Sequence, residues 1–183
     1  MKLARLPQCR SAFFIFTLAF AAFFTAIPSM AKDNLTEKFI DATMTEKSME
    51  IGIKASLLQS CARTGKSQQA CMEEAKVVDS IDFKAILSKV FEQVYTEEQM
   101  QQLYDFYSSE LGQKYQQGML SMLTQQLRYP EKVAMPTLTK EEDALIRQHQ
   151  ASKLSAMERA AQPKLRALIG QYVPKALQAA GVQ

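Results

Sequence analysis

TEEQMQQLYDFYSSELGQK, residues 96–114, is the stretch whose reading decides the fold. It opens with a capping box. Thr96 is placed to accept from the amide of Gln99, and the Gln99 side chain reaches back to the amide of Thr96. Glu97 and Glu98 then fall in the first turn, where the helix dipole favours negative charge. Met100, Leu103, Tyr104, Tyr107 and Leu111 follow at i, i+3, i+4, i+7 and i+11, one apolar stripe at helical period. Phe106 lies on the flank of that stripe, placed for a second neighbour. Ser109 offers another N-cap, with Glu110 as first helical residue and Gly112 two positions on. The stretch supplies helix starts and a packing face, and no reactive constellation.

Working outward, the neighbouring segments also read as helix. Ser80 to Tyr95 places Ile81, Ala85, Ile86, Val90, Phe91 and Val94 on one side. Tyr115 to Arg128 groups Tyr115, Met119, Met122 and Leu123 on one face. Upstream, Asn34 with Glu37 resembles a capping-box start for Leu35, Phe39 and Ile40. Met49, Ile53, Leu57 and Leu58 continue at helical spacing. Gly52 inside that run costs about 1 kcal/mol against Ala, which points to a kink or a close helix contact. Whether 35–61 forms one helix or two is open.

Tyr129 to Leu138 contains Pro130 and Pro136 without periodicity and reads as a flexible connection. Thr139 with Glu142 then repeats the capping box, and apolar positions continue from Leu145 and Ile146 to Leu177. Pro163 and Pro174 should end or kink the helices before them. Thr96, Glu98, Leu103, Phe106 and Ser109 map at a constant offset of 43 onto Thr139, Glu141, Ile146, His149 and Ser152. Chance or shared capping logic explains that echo as well as an old duplication does. The expected fold is therefore all-α, one compact domain of about six or seven helices over residues 32–183.

Residues 1–31 read as a signal peptide rather than fold. Lys2, Arg5 and Arg10 precede the apolar run Phe13 to Ile27, and Ser29-Met30-Ala31 supplies a small-x-small cleavage pattern ending at Ala31. An uncleaved anchor is the alternative, but the run falls short of the ~20 residues a spanning helix needs. The expectation is export to the periplasm, with no membrane span after cleavage.

Cleavage changes the charge argument. The whole chain carries 22 basic and 19 acidic residues; losing the three basic residues of the leader leaves 19 of each. A neutral chain without a basic block offers no electrostatic case for nucleic acid. Removing 31 of 183 residues leaves 152, enough for one domain.

Cys61 and Cys71 are the cysteines remaining after cleavage. They flank Arg63-Thr64-Gly65-Lys66-Ser67, which reads as helix stop, turn and new N-cap. In an oxidising compartment this placement suits a disulfide stapling a helical hairpin, with inter-chain pairing or free thiols as alternatives. Gly65-Lys66-Ser67 mimics the end of a P-loop, yet the glycine that motif needs at position 60 is Ser.

The run Tyr95-Thr96-x-Glu98, then Phe106-Tyr107-x-Ser109-x-x-Gly112-x-Lys114, resembles the bacterial family catalogued as domain of unknown function 2059. Its signature reads roughly F-T-x-E-E-L, then F-Y-x-S-P-x-G-x-K. Here Tyr95 stands for Phe, Gln99 and Met100 stand near Glu-Leu, and Glu110 replaces Pro, a mild change after a Ser cap. The resemblance implies a small, exported, all-helical protein without an assigned reaction, and it brings no catalytic residues.

Candidate chemistry is sparse. One histidine, His149, excludes multi-histidine metal patterns and reads as a surface or helix-packing residue. Glu73-Glu74, Glu97-Glu98 and Glu141-Glu142 are candidate paired carboxylates for glycoside hydrolysis, although helix first turns already explain the last two. Met119-x-x-Met122 reads as core filling, with Cu(I) binding or a Met-rich adaptable groove as the other readings. No catalytic residue, metal site or cofactor is assigned. The reading is a non-enzymatic envelope protein that binds a partner protein or an apolar ligand, with Phe106 and Tyr107 near any groove. A hydrolase of envelope polymers acting through paired carboxylates is the alternative.

Overall fold

In the computed structural model, which describes residues 30–182, the capping box forms as read. Thr96 Oγ1 accepts from Gln99 N at 3.2 Å, and Gln99 Oε1 accepts from Thr96 N at 2.9 Å. The helix it starts, α5, spans Glu97–Tyr107 and buries Met100, Leu103 and Tyr107. The architecture is all-α. Eight α-helices and one 3-10 turn run through the described residues, more than the six or seven expected. In order they are α1 (Met30–Thr43), α2 (Thr45–Ala62), α3 (Gln68–Ala75), the 3-10 turn Lys76–Ser80, α4 (Phe83–Val94), α5, α6 (Glu110–Gln126), α7 (Lys140–Gln150) and α8 (Lys153–Ala179). The expected leader lies, through residue 29, outside the described residues; α1 begins at Met30, so Lys32 falls in its first turn.

Residues 35–61 divide into two helices at Met44, whose φ of 49° is left-handed. Thr43 stabilises the break by donating to Phe39 O at 2.9 Å, while Met44 packs in the cluster between α2 and α6. Asn34 is not the start, because α1 already runs through it. Gly52 marks neither kink nor close approach. The helix α2 passes through it, and a Cβ there would meet nothing within 4 Å.

The main core joins α1, α4, α5 and α8 around Phe39, Ile40, Leu87, Phe91, Met100, Leu103 and Leu165. The helix α4 starts from Asp82, whose Oδ1 accepts from Ala85 N, and it buries Phe83 and Leu87. Ala85, expected on the apolar side, is exposed. Two smaller clusters flank the main one, Ile51, Ala55, Leu120 and Tyr129 on one side, Val78, Phe83 and Val173 on the other.

Cys61 and Cys71 are disulfide-bonded with Cα atoms 5.6 Å apart, tying α2 to α3 across the turn at Gly65, φ 79°. Ser67 caps α3 by accepting from Ala70 N. The connection 129–138 has no regular structure but is anchored: Tyr129 is buried, and Gln117 Nε2 donates to Ala134 O at 3.2 Å. Neither Pro163 nor Pro174 ends a helix, since α8 contains both. Each removes a donor to the carbonyl four residues back, at Arg159 and Gly170, both exposed, while buried Leu165 and Val173 hold the helix across the gaps. No helix among the described residues is long and apolar enough to cross a membrane.

Candidate functional site

The family-like motif builds a tight corner between α5 and α6. Ser109 Oγ donates to Phe106 O at 2.6 Å and accepts from Gly112 N at 3.0 Å. A Cβ on Gly112 would lie 2.1 Å from Phe106 O and 2.7 Å from Tyr107 Cα, so only glycine lets the two helices approach. Gln113 Nε2 donates to Tyr107 O at 2.6 Å and to Ala42 O at 3.0 Å, binding the corner to α1. Lys114 Nζ sits 2.7 Å from Glu142 Oε1, the residue that closes the α7 capping box. Tyr95 is buried against Phe39 and Phe91, with centroids 6.0 Å away in each case. Glu98 stays exposed in the first turn of α5.

This corner gathers three rings around one imidazole, with a carboxylate beside it. His149, on α7, stacks on Phe106 with centroids 3.5 Å apart and planes 6° from parallel. Tyr107 and Tyr115 meet the same imidazole edge-on, at 6.1 and 6.3 Å. Tyr107 Oη donates to Glu158 Oε1 of α8 at 2.6 Å. The other carboxylate oxygen lies 3.9 Å from His149 Nε2.

Burial governs the charges. Desolvation holds the Glu158 carboxyl above its usual range, opposed by the Tyr107 hydrogen bond and by Arg159. Burial likewise pulls the His149 imidazole below 6.5, favouring its neutral form. The Tyr95 phenol is pushed up to about 12 by burial and then by the Glu158 charge. Tyr107 is raised by the same causes in the same order. Both phenols are therefore hydrogen-bond donors at neutral pH.

These groups open onto a groove of about 430 Å³. Its walls are Phe39 and Thr43 of α1, Thr45 and Ser48 of α2, Phe91 of α4, Tyr107 of α5, Tyr115, Met119 and Leu123 of α6, and Leu165 and Ile169 of α8, with Tyr95 between α4 and α5. Glu158 and Arg166 are its charged members. A cavity of about 550 Å³ lies elsewhere, between α2, α3 and the end of α6, lined by Leu58, Tyr129 and Arg128 among others and without a carboxylate or imidazole. The groove is where the chemistry converges.

The expected residues distribute unevenly. Tyr107 lines the groove, and Phe106 stacks on His149 without lining it. Met119 and Met122 are not core: they are 44% and 49% exposed, because α6 turns Leu120, Ser121 and Thr124 inward instead. Met119 rims the groove. His149 is a packing residue, its side chain 8% exposed. The acidic pairs face no common cleft. Glu73 and Glu74 pair with Lys76 and Lys66, Glu97 and Glu98 are exposed, and Glu142 is taken by Thr139 and Lys114.

Glu158 and its hydrogen bond from Tyr107 went unread in the sequence. A signal existed in the offset of 43, which carries Phe106 to His149 and also Tyr115 to Glu158. The helices α5 and α7 have equal length and capping boxes, and each is followed by a Ser-capped helix. The equivalent rings Phe106 and His149 stack on each other.

A model of the family described as uncharacterized protein conserved in bacteria (DUF2059) matches residues 82–127, from the cap of α4 to the end of α6. That span contains the whole motif from Tyr95 to Lys114 and agrees with the resemblance read in the sequence. His149 and Glu158 lie outside it. No curated protein and no solved structure matches the chain.

Proposed function

We propose that this is a non-enzymatic binding protein of the bacterial envelope, exported to the periplasm by residues 1–31, that holds an apolar ligand in the groove. The observation that carries the reading is the aromatic and Met-rimmed wall converging on Tyr107 and Glu158. Mostly apolar pockets with a few converging polar groups are the usual form of ligand sites, at volumes of roughly 300–1,000 Å³. A groove of about 430 Å³ fits a small molecule better than a partner helix. Hydrolysis by paired carboxylates has less support, because Glu158 is the one carboxylate among the groove's described lining residues.

Titration with N-phenyl-1-naphthylamine, a neutral apolar fluorophore, tests this. Saturable binding is expected, lost in Met119→Arg at the groove rim and kept in Met122→Arg one turn on. Equal binding in both variants, or none by the unaltered protein, would overturn the proposal.

A further inference from the structure

We infer that the groove selects an organic cation, an ammonium group on an apolar body, with Glu158 as counter-ion and the rings of Tyr95, Tyr107 and Tyr115 around it. The inference rests on the groove being a binding site and names what it binds. Glu158 is a mostly buried carboxylate whose side chain is 20% exposed. Among the described residues, the group within ion-pair range of it is His149 Nε2 at 3.9 Å. That imidazole, stacked on Phe106 and favoured in its neutral form by burial, gives the carboxylate little counter-charge, and Arg159, which also favours the ionised form, does not line the groove.

The groove's lining also includes the rings of Tyr95, Tyr107 and Tyr115. Tyr107 and Tyr115 lie with centroids 6.5 Å apart and planes 22° from parallel, beside the carboxylate that Tyr107 itself orients. Aromatic faces attract a cation through their quadrupole, and a partly desolvated carboxylate strengthens that preference. An anion would meet only repulsion from Glu158 at this end.

Arg166 also lines the groove, eight residues further along α8. At 1.5 Å per residue that is about 12 Å along the axis. It leaves room for the apolar body between the two charges.

Calorimetric titration with benzyltrimethylammonium chloride tests the inference. The unaltered protein should bind it saturably, Glu158→Gln at least tenfold more weakly, and Tyr115→Leu several-fold more weakly, with the helical circular-dichroism signal of both variants unchanged. If the protein binds N-phenyl-1-naphthylamine but not the ammonium, or if Glu158→Gln binds the ammonium equally well, the cation assignment is wrong and the groove stands. If neither probe binds, both readings fall. If a variant unfolds, the ratio of ammonium to naphthylamine affinity in the unaltered protein at 0.05 and 0.5 M salt decides. A ratio that falls with salt supports the counter-ion role, and a constant ratio refutes it.

Discussion

Gly112 and Tyr107 carry the sharpest consequences at the scale of single residues. Gly112→Ala sets a methyl group against Phe106 O with no flexible atom to move, so it should cost about 3 kcal/mol, at the top of overpacking costs. Urea unfolding measures it; a loss below 1 kcal/mol would mean the corner is looser than described. Tyr107→Phe deletes the donor that favours the ionised Glu158, so the Glu158 titration should move up and stability should fall by about 1–3 kcal/mol. Carboxyl titration by NMR in variant and parent reads the direction. His149 and Glu158 also make stability depend on pH with opposite signs. The imidazole binds its proton more weakly folded than unfolded, so its contribution is present above about 6.5 and is lost as pH falls. The raised Glu158 carboxyl adds stability as pH falls toward its titration and loses it as pH rises through that value. Between pH 7 and 5, His149→Phe should therefore lose less stability than the parent.

Among the elements, helix ends were the most legible part of the chain. The Thr96–Gln99 and Thr139–Glu142 boxes and the Ser109 cap appear where their residue types placed them, because capping is local chemistry. Thr96→Ala should cost about 0.5–2 kcal/mol. Helix interiors were less legible. Met119 and Met122 share the face of Tyr115, yet which face of α6 turns inward depends on α2 and the 129–138 connection, which periodicity does not contain. Pro163 and Pro174 failed as stop signals for a similar reason: packing of Leu165 and Val173 outweighs the local cost. One helix end contains a removable strain. Arg128 has φ 52° at the end of α6, where its amide meets Gln125 O and that of Tyr129 meets Thr124 O. The same two-bond pattern closes α8 with Gly181, φ 86°. Arg128→Gly should then raise stability, by about 0.5–1 kcal/mol in thermal or urea unfolding. A decrease would show that the Arg side chain contributes more than its backbone strain costs.

For the whole molecule, the disulfide and the groove divide the account between stability and function. Reducing Cys61–Cys71 should lower stability by about 2–3 kcal/mol through the freed unfolded chain, while the helical signal persists. The pairing was readable from two cysteines around a turn; the groove was not, since six elements contribute walls and its carboxylate sits on α8, far from the motif in sequence. The export proposal is checked by intact mass, which should place the mature start at Lys32. The central claim is that the groove bounded by Tyr95, Tyr107, Tyr115 and Met119 is where this protein binds its ligand. Amide chemical-shift mapping during titration with N-phenyl-1-naphthylamine tests it most directly. Shifts should concentrate on those four residues and on Glu158 and Leu165. Shifts centred on Leu58, Cys71 and Tyr129 would place binding in the other cavity and contradict the claim.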